Sequence, residues 1–453
     1  MQLIGTKDFY RSLFKIAIPI MVQNAITNMV GLVNNITVGS LGTEQLAGVA
    51  IANQLIGIFY LFIFGAVSAA GIFGVQFEGK QDYEGVRHIF RLKLYLVLGF
   101  SVLSILLFVF FGRPLIGSFL HDSSDGTDLT LTLNEGYKYL LIMLIGFIPY
   151  GVSSSYSSGL REAGVTAAPM RASSIALVLS VCLNFLLIPI MGVAGAATAT
   201  VVSRFAECAI NIFWSHKHPE RIPFIIGVYN SFSVPGDLVK KVLIKGAPLI
   251  FNETVWQIGL TVISQSYSYQ GVNAVAAVNM ATTIVNVVNV LFMSMGVTIG
   301  IIMGNMLGAG KLEEARETNA KLIATSVFIS LGVATVLLLL GPLFPRLYSN
   351  TAEEVKETAK WLIWCEALGA PFRAFGNACY YTIRSGGKTL LTALYDCGFV
   401  WYASVPTAYF LTHFTDLGII PIYFAVKMVE GIKCIVGFIM VKRGKWVTNI
   451  VNK

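Results

Sequence analysis

One feature constrains this chain more than any other: apolar runs of about 20 residues or more recur along its whole length. A helix rising ~1.5 Å per residue needs about that length to cross ~30 Å of hydrocarbon. The runs place twelve helices at roughly 12–38, 45–77, 89–111, 137–158, 168–191, 193–215, 243–268, 275–307, 320–342, 358–382, 389–412 and 418–441. Backbone groups in lipid must bond within their own segment, and no short alternating pattern of a barrel appears, so only helices fit. Composition agrees. Of 453 residues 55% are apolar and 12% are charged, against about 25% charged in soluble proteins. A water-facing surface cannot be built from that supply. The fold class expected is an all-α polytopic membrane protein, and soluble enzymes, nucleic-acid binders and disordered scaffolds are excluded.

The longest polar interruption, 216–242, holds His216, Lys217, His218, Pro219, Pro223, Pro235 and Gly236 and divides the spans six and six. The domains expected are therefore a lobe at 1–215, a cytoplasmic linker at 216–242, and a second lobe with a short tail at 243–453. The net charge of +8 sets topology rather than binding nucleic acid. With the N-terminus in the cytoplasm, 23 Lys and Arg fall on the inner side and 5 on the outer, where Asp122, Asp125 and Asp128 make a loop acidic. Both termini are expected to be cytoplasmic in a bacterial-type inner membrane. The six cysteines all fall within spans without CxxC spacing, and no metal site is expected.

The two halves repeat each other. At an offset of 229 Pro19 meets Pro248, Gly42 meets Gly271 and Ala47 meets Ala276; at 231 Gly79-Lys80 meets Gly310-Lys311. At 223 Arg161 meets Arg384, Gly164 meets Gly387, and Arg204-x-x-Glu207 meets Lys427-x-x-Glu430. Six spans per unit put both copies in one orientation, related by a pseudo-twofold along the membrane normal. Two such bundles can enclose a central cleft and open it to either side in turn. No filter-like pore segment of a channel appears.

Helices 1 and 2 read "IAIPIMVQNAITNMVGLVNNITVGSLGTEQLAGVAIANQL", and helices 4 to 6 read "SGLREAGVTAAPMRASSIALVLSVCLNFLLIPIMGVAGAATATVVS". Their signatures return as "GAPLIFNETVWQIG", "GVNAVAAVNM" and "IRSGGKT". Across essentially the whole chain the sequence resembles the multidrug and toxic compound extrusion (MATE) family of the flippase-like superfamily. The resemblance implies secondary active efflux of amphipathic, often cationic compounds, driven by H+ or Na+, with no other cofactor.

An ionisable residue inside a span is a functional candidate by default. Within spans we find Arg204 and Glu207 in the first lobe, and Glu253, Glu366, Arg373, Asp396, Lys427, Glu430 and Lys433 in the second. Arg204 with Glu207 and Lys427 with Glu430 stand three apart and are expected to meet as structural ion pairs, one per lobe, with a coupling role as the alternative. Glu253 matches the family's helix 7 glutamate, whereas its repeat partner is Asn24. A carboxyl group in apolar surroundings protonates more readily than in water, which suits exchange of a proton for a cation, so Glu253 is expected to couple, with Glu366 or Asp396. Asp396 faces Ser173 in the repeat. Arg373 lies two turns from Glu366 and is either a cleft residue or the partner of Glu253 or Glu366.

Where the family has first-lobe aspartates this chain has Asn34 and Asn184; with Ser180 and Thr200 they form an uncharged cluster that either packs helices or contacts ion or substrate. Trp256 is the aromatic candidate for stacking on a flat ligand. No metal or nucleophile pattern of an intramembrane enzyme is present. The rival reading on the same fold is a lipid-linked saccharide flippase or an exporter of an anionic metabolite, which Arg373 favours. The partners expected are a small molecule and the bilayer, with no nucleic acid, and two lobes in one chain need no second copy.

Overall fold

The computed structural model describes residues 3–120, 128–348 and 351–452; Asp122, Asp125 and Lys453 lie outside them. Among the described residues there is no β-strand, and the chain runs through fourteen α-helices. In the first half these are α1 (Lys7–Gly39), α2 (Thr43–Gly79), α3 (Tyr83–Gly117), α4 (Leu129–Ile145), α5 (Phe147–Glu162), α6 (Ala167–Met191) and α7 (Val193–Lys217). In the second they are α8 (Gly236–Ser268), α9 (Val272–Gly308), α10 (Leu312–Leu340), α11 (Glu353–Ser385), α12 (Thr389–Ala393), α13 (Val405–Phe414) and α14 (Ile419–Lys442). α4 and α5 form one broken span, bent by 48°. α12 continues into α13 through two π-helical turns, Leu394–Gly398 and Val400–Ser404. Counted so, there are twelve crossings, at the places the apolar runs put them.

Seven of the described helices are long and apolar enough to cross a membrane on composition alone, and the broken pair makes eight. The four crossings that fall short are α8, α11, the α12–α13 run and α14. All lie in the second half, and each carries ionisable side chains in its middle, Glu253, Glu366 with Arg373, Asp396, and Lys427 with Glu430 and Lys433 respectively.

The chain divides into two compact units, Ile18–Leu243 and Met1–Ala17 together with Ile244–Lys453, here the first and second lobe. Glycine serves two ends here, and the repeat preserves the first of them. Gly42 and Gly271 (φ 146° and 93°), like Gly164 and Gly387 (φ 75° and 70°), take backbone angles that a Cβ disfavours, at turns between successive helices. Gly48 and Gly136 instead let α2 and α4 touch: a Cβ on Gly48 would sit 2.4 Å from the Thr132 carbonyl. Around that contact the first lobe builds its core, in which Phe59 stacks on Phe147 at 3.8 Å. The second-lobe core joins α8, α9, α11 and α14 around Ala277, Ala281, Leu362 and Ile422.

Residues 222–233 of the interhelical segment are fastened to the first lobe rather than hanging between the two. Ile222, Phe224, Ile225 and Val228 are buried with Phe90, Tyr156 and Leu160. α3 holds this strap by its carbonyls: Arg91 Nε donates to Val228 O (2.7 Å), Arg91 Nη2 to Gly227 O (3.2 Å), Arg87 Nε to Phe224 O (3.3 Å) and Tyr95 Oη to Phe232 O (2.6 Å). The second lobe uses its tail in the same way. Trp446 and Ile450 are buried, and Asn449 Nδ2 caps the end of α9 by donating to Leu307 O and Gly308 O (3.0 and 3.1 Å).

Candidate functional site

The second lobe concentrates its charge in two groups. In one, the carboxylate of Glu366 is 2% exposed and accepts from Arg373 Nη2, from Tyr423 Oη and from Lys427 Nζ, the last at 2.9 Å. α11 presents Glu366 and Arg373 two turns apart on one face, and α14 supplies Tyr423 and Lys427. Arg373 is engaged at every nitrogen, with Nη1 donating to Asn289 Oδ1 (3.2 Å) and Nε 3.9 Å from Glu430 Oε2. Arg373 is thus the partner of Glu366 and not of Glu253. One expectation is corrected here: Lys427 and Glu430 do not pair with each other. Both are drawn sideways off α14, Lys427 to the deeply buried Glu366 and Glu430 toward Arg373, because an anion sealed from water needs cations more than an i,i+3 neighbour does.

The other group forms where α12–α13 loosens into π turns. Lys433 Nζ donates to Asp396 Oδ1 (2.6 Å) and Asn252 Nδ2 to Asp396 Oδ2 (3.2 Å). Asn252 Oδ1 accepts from the Cys397 backbone N–H (3.1 Å), and Trp401 Nε1 donates to Val255 O (3.0 Å). Such π turns leave backbone groups for other partners and recur at functional sites. Beside Asn252 stands Glu253, half-buried. Its carboxylate accepts from Tyr380 Oη (3.2 Å), and Arg384 Nη1 donates to the same hydroxyl (3.4 Å). Among the described residues no cation lies within ion-pair distance of Glu253. Trp256, a turn further on, is half-buried and packs on the apolar core of the lobe.

In the first lobe the uncharged cluster assembles on three helices. Asn184 Nδ2 of α6 donates to Asn34 Oδ1 of α1 (2.7 Å), and Asn34 Nδ2 donates to Thr200 Oγ1 of α7 (2.9 Å). Ser180, one turn before Asn184, is buried, and neither its Oγ nor Asn184 Oδ1 has a hydrogen-bond partner. Arg204 and Glu207 do pair, at 3.1 Å. They end a relay in which Arg161 Nη2 donates to Gln23 Oε1 (2.6 Å), Gln23 Nε2 to Ser173 Oγ (3.0 Å), and Ser173 Oγ to Glu207 Oε1 (2.5 Å).

Sequence reasoning missed three things. Lys93 and Glu162 form a buried ion pair in the first lobe, with Ser158 Oγ donating to Glu162 Oε1 at 2.5 Å. Lys93, Arg91, Arg161 and Arg384, which belong to the 23 charges placed on the inner side, each make interior or strap contacts. The signal for Lys93 was present, since it falls inside the expected span 89–111. Sequence reasoning also passed over Gln23 and Asn252, repeat partners at an offset of 229 that each bind the next repeat-matched pair, Ser173 and Asp396. A polar side chain at the same place in both halves was the available sign.

Comparison with known proteins bears on all of this. The family model MatE matches residues 19–186 and 248–410, both halves in turn. This chain belongs to the MATE family. Members are transporters rather than enzymes, and the chain is an integral membrane protein. Curated relatives include a probable multidrug resistance protein NorM of Oceanobacillus iheyensis, 24% identical over 92% of each chain. Another is the NorM of Thermotoga maritima, 21% identical over 91% of this chain and 88% of its own. A crystal structure of a MATE transporter in the bent conformation superposes with a TM-score of 0.86 at 19% identity, covering 98% of this chain and 97% of that one. The twelve-helix fold is therefore the MATE fold.

Proposed function

We propose that this chain is a secondary active antiporter that exports amphipathic organic compounds, chiefly cationic, in exchange for H+ or Na+ by alternating access. We place it in a bacterial-type inner membrane with both termini cytoplasmic. The relatives named as multidrug resistance proteins support the efflux reading. The observation that carries the coupling reading is the contrast among second-lobe acids. Glu366 is held by Arg373, Lys427 and Tyr423, and Asp396 by Lys433 and Asn252. Glu253 accepts from the Tyr380 phenol, and among the described residues no cation lies within ion-pair distance of it, Arg384 being bonded to the phenol instead. A carboxylate already neutralised by a fixed cation gains little from a proton or a cationic ligand, whereas an unpaired one gains from either. Coupling thus rests on Glu253, with Tyr380 orienting it. Glu366 and Asp396 each hold cations of their own, and the Asn34–Asn184–Thr200 cluster holds α1, α6 and α7 together.

The test is efflux of a fluorescent amphipathic cation from proteoliposomes under a pH gradient or a sodium gradient imposed separately, for the native chain and Glu253→Gln. Gradient-driven efflux is expected to fall at least about tenfold in the variant, a barrier change near 1.4 kcal/mol. Efflux by Glu253→Gln at the native rate would return coupling to the first-lobe asparagines.

A further inference from the structure

The strap of residues 222–233 has two faces. Ile222, Phe224, Ile225 and Val228 turn into the first lobe. Ile226, Tyr229 and Phe232 turn away from it, and Phe232 is 73% exposed. Apolar side chains presented together on a fastened segment mark a surface for a partner. Their depth along α3 identifies it.

From Leu94 to Gly112 α3 has no charged residue, and that stretch rises ~28 Å, the thickness of the hydrocarbon. Tyr95, Leu98, Val102, Leu106 and Val109 recur at helical spacing and are exposed, a stripe that meets acyl chains in a bilayer. Continued toward the start of the helix, the same stripe reaches Arg91 and His88. These two side chains hold the strap: Arg91 Nη1 donates to Ser233 O (3.3 Å), beside its bonds to residues 227 and 228, and His88 Nδ1 lies 3.2 Å from the same oxygen. The strap therefore covers the polar end of the side of α3 whose apolar part faces lipid. Tyr95 begins the apolar part, and a helical side chain leans toward the N-terminus of its helix. Its hydroxyl donates to Phe232 O (2.6 Å), so Phe232 is held where hydrocarbon gives way to headgroups, the level at which aromatic residues gather.

The charges nearby suit an acidic surface. Between 216 and 241, Lys217, Arg221, Lys240 and Lys241 stand against Glu220 and Asp237. Lys217 and Arg221 precede the strap and are exposed. The Lys217 ammonium lies 5.5 Å from the centre of the Phe213 ring, itself exposed. That is the posture of a lysine whose stem covers apolar surface while its charge reaches the headgroups.

We propose that the strap is an anchor for anionic lipid: Ile226, Tyr229 and Phe232 enter the acyl-chain boundary of the bilayer, and Lys217 with Arg221 holds acidic headgroups beside them. Which leaflet this is follows from the orientation proposed above; the binding itself depends on neither transport nor coupling.

The experiment uses the full chain in lipid nanodiscs, with the exposed cysteine removed by Cys182→Ala. A bimane label is introduced in turn through Ile226→Cys, Phe232→Cys and, for comparison, Glu220→Cys, an exposed acid that keeps to water. Two quenchers are applied: phosphatidylcholine with a doxyl group high on its acyl chain, and aqueous iodide. Labels at 226 and 232 are expected to lose most of their fluorescence to the lipid and little to iodide, and the label at 220 the reverse. The label at 232 is then titrated with doxyl-labelled phosphatidylglycerol instead. Half-quenching is expected at about a fivefold lower fraction of the anionic lipid, the counterpart of ~1 kcal/mol from a basic side chain near the surface. Lys217→Gln/Arg221→Gln is expected to abolish that preference and leave the depth unchanged, and high salt to weaken it. All of these substitutions fall on exposed side chains, and each variant is checked to melt like the native chain. Iodide quenching at 226 and 232 equal to that at 220 would place the strap in water and overturn the proposal. So would equal quenching by the two lipids, or an anionic preference that survives the double variant. Failure of cation efflux in proteoliposomes would not touch it.

Discussion

The two lobes place polar side chains at the same points of one scaffold and fill those points differently. Gln23 and Asn252, Ser173 and Asp396, and Arg161 and Arg384 are repeat partners, and each is hydrogen-bonded in its own lobe. The first lobe completes the pattern with amides and hydroxyls and two charged pairs, Arg204–Glu207 and Lys93–Glu162. The second adds Glu253, Glu366, Arg373 and Lys433, where the first has Asn24, Met143, Tyr150 and Ile210. The scaffold therefore keeps an arginine at Arg161 and Arg384 but does not require charge where the second lobe has Glu253, Glu366, Arg373 and Lys433. Charge beyond that requirement is where function is to be sought, since burying it is costly and the twin lobe manages without it.

That comparison can be broken at its strongest point by Glu366→Ala, which leaves Arg373 and Lys427 without their shared anion. Loss of one partner of a buried ion pair is expected to cost about 3–5 kcal/mol, read as a lowered unfolding temperature in detergent. A shift too small to measure would mean these charges are hydrated and the second lobe is less dry than its burial indicates. The first lobe's own buried pair offers the sharper control. In a double-mutant cycle on Lys93→Met and Glu162→Gln the pair should show a coupling of about 1–3 kcal/mol, and the double variant should be more stable than the sum of the singles. Additive losses would show that the two side chains do not act as a pair.

Next in size is Gly74→Ala. A Cβ there would sit 2.3 Å from Glu162 Oε2, so the carboxylate must move, at about 1–3 kcal/mol. Gly57, on the same helix with open space around it, should accept alanine with no loss. Equal behaviour of the two would show that α2 does not shape the Lys93–Glu162 site. The smallest effect is expected from Asn449→Ala, which uncaps α9: about 0.5–1.5 kcal/mol, detected as faster amide exchange at the end of α9 and unchanged exchange in the first lobe.

Architecture was legible in the sequence because a membrane leaves the chain few options. Span lengths, their number and the duplicated glycines all follow from hydrocarbon thickness and from backbone angles that need no side chain. The candidate site was legible by residue and not by partnership. Glu366, Arg373, Lys427 and Glu430 were all singled out, yet spacing along α14 suggested an i,i+3 pair where helix packing gives Lys427 to Glu366 instead. Neighbours on one helix follow from its period, whereas neighbours across helices depend on rotation and depth, which a single sequence does not carry. Lys93 escaped for a related reason: at the start of an apolar run its long side chain is compatible with either the membrane surface or the lobe interior, and only the position of Glu162 decides.

The strap has a consequence for how the molecule is divided. Because residues 222–233 are fastened to the first lobe, the most linker-like sequence is not where the lobes exchange chain. The chain enters the first lobe within α1, between Ala17 and Ile18, and leaves it within α8, between Leu243 and Ile244. A gene split at Val234–Pro235 would therefore not yield two self-contained lobes. The fragment bearing α1–α7 would keep a helical arm that belongs to the second lobe, and the fragment bearing α8–α14 would keep one that belongs to the first. Each piece would be incomplete without the other's arm. That is the arrangement of a swapped dimer, so the two fragments should be recovered as an obligate pair.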